Sequence, residues 1–348
     1  MDPMAFSDIF FDPETFMKLE ADGCELSVTG VSKYLREHSS SFSPVLLTWD
    51  MTSRCNFSCP FCYIRDNSIT QEVCFEETAK VIDGLVSEGL FEVFLSGGEC
   101  LLLKDFLKIY RYFKEKGVFV TVFSNGSLID DELLMCWKEL PPCSVEITLY
   151  DNDFSSKPFS NILRLLEMGI HVVPKFTLTR TTLPYYGDVK QWIEEHDLSI
   201  AIDADLTDGL DDMHSNIEKN YSLSMKQKKY YIPNKYQDIK KENRRRTGFP
   251  CKSKQGIVQI LPDFTISLCN KMKIRWDLRK TDIHAAIKEL RQLIMEYKDI
   301  EIKGCDGCVY SHRCSMCFVK AINKDGELYV PEGFCDNVKA KCMKMESF

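Results

Sequence analysis

Val45-Leu-Leu-Thr-Trp-Asp50-Met-Thr-Ser-Arg-Cys55-Asn-Phe-Ser-Cys59-Pro-Phe-Cys62-Tyr63 runs from an apolar, strand-like segment directly into three thiols within eight residues. Three cysteines leave a four-iron cluster one protein ligand short. Structural metal sites are usually closed by four donors, whereas catalytic sites keep a position open for substrate or cofactor. A zinc site completed by a distant fourth ligand is the rival reading of the same spacing.

Outward from this stretch, short β-branched or aromatic runs at 45–50, 91–95, 118–123, 144–149, 171–178 and 198–203 alternate with amphipathic segments such as Phe75 to Glu88, Lys104 to Lys116 and Asp188 to His196. Strands alternating with helical patterns mean βα units and a parallel sheet. The expected fold is α/β, a partial (β/α)6 TIM-like barrel, with chemistry at the C-terminal ends of the strands. The cysteine triad follows the first strand, where such a fold places a site. Residues 1–43 read as an N-terminal extension, 44–206 as the core and 207–248, rich in Asp, Asn, Lys and Tyr, as a linker. Residues 249–348 carry eight cysteines between Cys251 and Cys342 and read as a small domain organised by metal, which offsets a thin apolar core.

At 348 residues and 44% hydrophobic the chain can bury one large or two moderate cores. A net charge of −8 excludes generic nucleic-acid binding, which needs a basic face to neutralise phosphates. The one basic run, Lys240 to Arg246, reads as a solvated helix or linker. Sixteen cysteines require either oxidised pairs or metal. The N-terminus, Met1-Asp-Pro-Met-Ala-Phe-Ser-Asp8, has neither a basic nor an apolar targeting region, and no stretch of about 18 apolar residues occurs. A reducing cytoplasm and no membrane are therefore expected, which makes metal the better account of the cysteines.

The C-x3-C-x2-C spacing of Cys55, Cys59 and Cys62 resembles the signature of the radical S-adenosylmethionine (SAM) superfamily, in which the open iron of a 4Fe-4S cluster binds the amine and carboxylate of SAM. Phe61 matches that family's apolar position near the adenine. Ser96-Gly97-Gly98-Glu99 begins its glycines 35 residues after Cys62, behind the second strand candidate, and resembles the family's GGE motif, which contacts the SAM amino group. Ser124-Asn125-Gly126 resembles its Asn-Gly turn. Thr148 stands where relatives carry a Ser on the SAM ribose, and Arg180 where a cation faces the SAM carboxylate. The resemblance implies reductive cleavage of SAM to a 5′-deoxyadenosyl radical that abstracts hydrogen from substrate. It also implies an external one-electron reductant of flavodoxin or ferredoxin type. Cys100 follows Glu99 where proline is frequent in the family. It reads as a buried small residue or as a hydrogen donor to a product radical.

Cys251, Cys269, Cys305, Cys308, Cys314, Cys317 and Cys335 form a second constellation around C-x2-C-x5-C-x2-C. Two C-x2-C pairs suggest a zinc ribbon, but their separation is shorter than its usual loop of about 15 to 20 residues, and seven cysteines exceed one tetrahedral site. The arrangement resembles the SPASM domain of radical SAM enzymes, which holds auxiliary iron-sulfur clusters. That resemblance implies Cys305, Cys308, Cys314 and Cys335 on one auxiliary 4Fe-4S cluster. Cys251, Cys269 and Cys317 would hold the other, open or closed by Cys342. The segment Ile260 to Cys269 matches the family's strand, turn and strand, except that Phe264 replaces the turn glycine. A second departure is Cys314-Ser-Met-Cys317, one residue shorter than the family's usual pair. Iron content separates the cases: about twelve per chain for two auxiliary clusters, about eight for one.

Cys24, Cys74, Cys136 and Cys143 have no spacing partner and read as buried thiols, and the six histidines are scattered without ligand spacing. By the resemblance, the substrate is a precursor peptide or protein undergoing maturation by crosslink, thioether or epimerisation. The alternatives are a small molecule undergoing dehydrogenation, formylglycine formation in a sulfatase, and a non-catalytic iron-sulfur electron carrier. Only about 43 residues precede the first strand, so recognition of a leader would need a reduced element or a separate leader-binding protein. Asp203 and Asp205 share one face by strand alternation and, facing the barrel, would favour a cationic substrate group.

Overall fold

The structure, a computed structural model, describes residues 10–11, 19–21, 24–26, 42–64, 72–204, 206, 216–232 and 256–297. Near the N-terminus, β1 (Phe10–Phe11), β2 (Leu19–Ala21) and β3 (Cys24–Leu26) pair antiparallel in a small sheet of their own. The main sheet begins with β4 (Leu46–Asp50). It continues through α1 (Phe75–Ser87), β5 (Glu92–Ser96), α2 (Phe106–Glu115), β6 (Phe119–Ser124), α3 (Asp131–Glu139) and β7 (Ser144–Leu149). Then come α4 (Lys157–Glu167), β8 (Val172–Thr177), α5 (Tyr186–Glu195) and β9 (Ala201–Asp203). Each strand from β4 to β9 pairs parallel with the next. This is the expected partial TIM-like barrel, six parallel strands with helical crossovers, and its strand order shows no closing pair between β4 and β9.

Strand alternation sorts the side chains into two layers. Leu47, Trp49, Val93, Leu95, Val120, Val122, Val145 and Ile147 turn outward and are buried in the common core with the apolar faces of the helices. Trp49 is fully buried, edge-on to Phe113 of α2 with ring centroids 6.1 Å apart. The opposite parity puts Thr48, Asp50, Phe94, Thr121, Phe123, Glu146, Thr148, Lys175, Thr177 and Asp203 on the inner face. That face is where the barrel can present polar chemistry.

Two features differ from the sequence expectation. Residues 216–232, read as linker from their composition, contain α6 (Ile217–Tyr221) and α7 (Met225–Tyr231). Their few apolar side chains are enough to dock them: Ile217 and Leu223 are buried, and the Tyr231 ring meets Tyr186 of α5 edge-on at 5.5 Å. The second difference concerns the boundary drawn at 249. β10 (Ile257–Ile260) pairs parallel with β4, and β11 (Thr265–Ser267) and β12 (Trp276–Asp277) extend the same sheet antiparallel. α8 (Ile283–Glu296) then packs on α1, with Arg291 paired to Glu88 at 2.5 Å. The start of the C-terminal region is thus built onto the edge of the core sheet.

The β10–β11 turn shows how Phe264 substitutes for glycine. Phe264 adopts φ +62°, the left-handed conformation a glycine would supply. That costs a non-glycine residue about 1–2 kcal/mol. Its ring, 1% exposed, lies 6.0 Å from Trp49 and beneath the Arg279 guanidinium at 5.1 Å. Burying a phenylalanine contributes about 3 kcal/mol, which offsets the strain. Among the described residues no helix is long and apolar enough to cross a membrane.

Candidate functional site

The loop 51–64 leaves the C-terminal end of β4 and carries Cys55 exposed and Cys59 and Cys62 half-buried. The ends of the next two strands hold it in place. Gly98 N–H donates to the Thr52 carbonyl at 2.7 Å and Glu99 N–H to the Arg54 carbonyl at 2.9 Å. At Gly97, whose φ is +134°, an added Cβ would lie 2.6 Å from the Thr52 oxygen. The two glycines are therefore required by close backbone approach to the cysteine loop.

Glu99, 1% exposed, ties this junction to β6. Its carboxylate accepts from Leu101 N–H, Ser124 Oγ and Asn125 N–H at 3.2, 3.0 and 2.8 Å. Burial raises its pKa, and those hydrogen bonds oppose the rise. Asn125 in turn reaches the cysteine loop: its Nδ2 donates to Asn56 Oδ1 at 2.8 Å and lies 3.9 Å from Cys55 Sγ. Asn56 Nδ2 donates to Ser127 Oγ at 2.8 Å. Asn56 was not singled out by the sequence, because its partners lie about 70 residues away.

A fourth strand end closes over the loop. The ring of Tyr150, directly after β7, stands 6.2 Å from that of Phe57 and 5.9 Å from that of Phe61. Phe61 is buried and also meets Tyr221 of α6 edge-on at 6.1 Å. Burial, and then the neighbouring Cys62, push the Cys59 thiol up to about 11. The sequence offered only one signal for Tyr150, its place at a strand end beside Thr148.

Among the described residues no three His, Cys, Asp or Glu side chains converge on a point that would hold a single metal ion. In a four-iron cluster each thiolate binds a different iron, so three cluster ligands need not meet at one point. Cys59 is close enough to both Cys55 and Cys62 to feel them electrostatically, and Cys55 Sγ already accepts from Phe57 N–H at 3.3 Å.

The other residues named from sequence distribute as follows. Thr148 lies on the inner face of β7, in register with Lys175. Arg180 lies beyond β8, exposed, and donates to the Asn220 carbonyl at 3.3 Å. Asp203 meets a cation of the protein itself, Lys175 Nζ at 3.9 Å, and Lys175 also lies over the Phe123 ring at 5.3 Å. Cys100 is fully buried in the core, with its thiol directed at the Phe123 carbonyl at 3.4 Å, the geometry of the buried-residue reading. Of the thiols expected to be buried, Cys136 is, whereas Cys74 and Cys143 are half-buried. Cys74 opens α1, where its N–H donates to Glu77 at 3.3 Å. Cys269 is half-buried against the core after β11. Asp205, Cys251, Cys305, Cys308, Cys314, Cys317, Cys335 and Cys342 lie outside the described residues.

Asp50, which ends β4 on the inner face, was also missed. It is fully buried; Gln259 of β10 donates to its Oδ2 at 2.6 Å, and its Oδ1 has no hydrogen-bond partner. Burial raises its pKa from 3.8 to about 7, against the lowering effect of Gln259. A carboxyl whose folded pKa is raised contributes stability that is complete below the unfolded value and is lost as pH rises through about 7. Linkage caps that loss at about 4 kcal/mol, and solvent relaxation reduces it. Asp50→Asn is therefore expected to melt higher than the parent protein at pH 8, by about 1–2 kcal/mol, with the gap narrowing toward pH 5. A gap independent of pH in anaerobic thermal melts would refute the assignment.

Residues 49–184 match the radical SAM superfamily. The chain is 37% identical over 124 residues to Fe-coproporphyrin III synthase of Methanosarcina barkeri, covering 34% of this chain and 31% of that protein. It is 28% identical over 161 residues to the sporulation killing factor maturation protein SkfB of Bacillus subtilis, covering 43% and 39%. The chain thus matches about a third of the length of these curated relatives. Among solved structures, Streptococcus suis SuiB bound to precursor peptide SuiA superposes with a TM-score of 0.60 at 14% identity, over 88% of this chain and 78% of that one. At that identity the likeness is one of fold.

Proposed function

We propose that this chain, which carries a radical SAM domain over residues 49–184, is an enzyme that cleaves SAM and abstracts hydrogen from a peptide substrate in the course of its maturation. The observation that carries the reading is the convergence of strand ends on the cysteine loop. The loop leaves β4, Gly98 and Glu99 after β5 bind its backbone, and Asn125 after β6 reaches Cys55. Bound to Cys55, Cys59 and Cys62, a 4Fe-4S cluster would supply the electron that cleaves SAM.

The chain's own residues position and enclose. The glycines at 97 and 98 fix the height of the loop over the barrel mouth, and Glu99 locks β5 to β6 beneath it. Phe61 offers an apolar wall for the adenine, while Gly97, Gly98, Asn125, Thr148 and Arg180 are the proposed polar contacts of SAM. Water must be kept out, because a primary carbon radical attacks whatever it reaches first. Residues 249–348 are proposed to hold the auxiliary clusters, and a flavodoxin- or ferredoxin-type donor to deliver the electron.

Peptide maturation is supported by the similarity to SkfB, a maturation protein by name, and by the fold shared with SuiB, solved with a precursor peptide. Co-expression with the short reading frame nearest the gene tests it. A mass change of −2 is expected for a crosslink, or 0 with deuterium uptake for epimerisation. The 37% identity to a tetrapyrrole synthase favours a second reading, in which the substrate is an iron tetrapyrrole. Tetrapyrrole turnover coupled to SAM consumption, with the peptide unaltered, would replace the first reading by the second.

A further inference from the structure

We infer that Ser127, outside the three-cysteine motif, is a positioning residue that holds Cys55 in place for iron by closing a ring of side-chain hydrogen bonds around Asn56. The inference rests on the proposed cluster at Cys55, Cys59 and Cys62. Three side chains make the ring. Asn56 Nδ2 donates to Ser127 Oγ at 2.8 Å, Ser127 Oγ donates to Asn125 Oδ1 at 2.6 Å, and Asn125 Nδ2 donates back to Asn56 Oδ1 at 2.8 Å. The main-chain N–H of Ser127 also donates to Asn125 Oδ1, at 3.0 Å. A backbone N–H cannot accept, so it identifies that atom as the amide oxygen and thereby fixes the direction of every bond in the ring.

The ring grips both ends of the Asn56 amide, and Asn56 is the residue after Cys55. Of the three cysteines Cys55 is the exposed one, so packing holds it least. The backbone ties from Gly98 and Glu99 reach the loop before it, at Thr52 and Arg54, whereas the ring holds it from the other side and from another strand end. The far side of the ring is itself anchored. Ser127 stands on the turn after β6, where the buried Asn161 of α4 donates to the carbonyls of Gly126 and Ile129 at 2.8 and 3.3 Å. The direction of the ring also turns the amide nitrogen of Asn125, and not its oxygen, toward Cys55 Sγ at 3.9 Å. An iron-bound thiolate, which can only accept, then faces a donor there rather than a second acceptor.

Ser127→Ala opens the ring and leaves Asn56 with one tie. In the anaerobically reconstituted full chain, this variant should lose iron to a chelator about five- to tenfold faster than the parent, the effect of roughly one hydrogen bond. Iron lost by the triple Ala variant of Cys55, Cys59 and Cys62 is subtracted as the auxiliary contribution. Ser127→Thr keeps the hydroxyl and should hold iron as the parent does. The g-values of the reduced cluster, read by electron paramagnetic resonance without SAM, should shift in Ser127→Ala and return in Ser127→Thr. Adding Ser127→Ala to Asn56→Ala should not hasten iron loss beyond that of Asn56→Ala, because the bond between them is already gone. Parental iron retention in Ser127→Ala overturns the inference. So does a Ser127→Thr variant as labile as Ser127→Ala, or a double variant in which the two effects add. A thermal midpoint of the metal-free chain that falls in Ser127→Ala and is not restored in Ser127→Thr shows a folding role alone and overturns it as well. A parent protein that takes up no cluster at Cys55, Cys59 and Cys62 instead overturns the underlying reading, and this is seen before any variant of Ser127 is made.

Discussion

Replacing Cys55, Cys59 and Cys62 together by Ala abolishes formation of 5′-deoxyadenosine from SAM, to the background of a protein-free control, and lowers iron by about four atoms per chain. The fold survives the change. Cys55 is exposed and the other two are half-buried, so the substitutions remove little core volume. The ties that hold the loop, Gly98 to Thr52 and Glu99 to Arg54, are made by the backbone and persist. Chemistry is lost completely because cleavage needs an electron, and no other described group can supply one. Auxiliary iron remains, since it is assigned to cysteines after residue 249. Persistent cleavage in the triple variant would sink the site assignment, and loss of all iron would show that the clusters are not independent.

Gly98→Ala reaches nearly the same end by a different route. A Cβ at this position would fall well inside contact distance of the Arg54 carbonyl oxygen and 2.7 Å from its carbon. Both atoms are backbone, so no side chain can swing aside, and the loop itself must shift by the better part of an ångström. Cys55 is the next residue along the chain. A displacement of about 1 Å at a reacting centre costs about 10²-fold in rate, and we expect SAM cleavage to fall by that much while the thermal midpoint changes little. Gly187→Ala is the control: a Cβ there meets no heavy atom within 4 Å, and activity should be unchanged. Parental activity in Gly98→Ala would show that the loop tolerates displacement.

The strands were legible to within a few residues because each is a run of β-branched or aromatic side chains ended by glycine or polar residues. The sixth is the instructive exception. Its pattern begins at 198, but the observed strand is Ala201–Asp203, since Asp197 takes φ +54° and Leu198 N–H returns to the Ile193 carbonyl to end α5. Termination of the preceding helix consumed the residues that looked like the start of the strand. The docked helices at 217–231 and the sheet extension at 257–277 were not legible, because composition does not say which distant surface a short apolar segment will find.

The functional residues divide in the same way. Cys55, Cys59 and Cys62 announce themselves because their relation is local, fixed by eight residues of chain. Glu99 was recognised by its motif, but its distant partners, Ser124 and Asn125, follow from parallel pairing of β5 with β6. Tyr150 and Asp50 carry no motif. The sequence by itself therefore determined the alternation of strands and helices and the presence of a three-thiol loop at the end of the first strand. Only the tertiary structure decided which groups surround that loop and which carboxyls turn inward, because those relations are set by strand register and by contacts across 70 to 200 residues of chain.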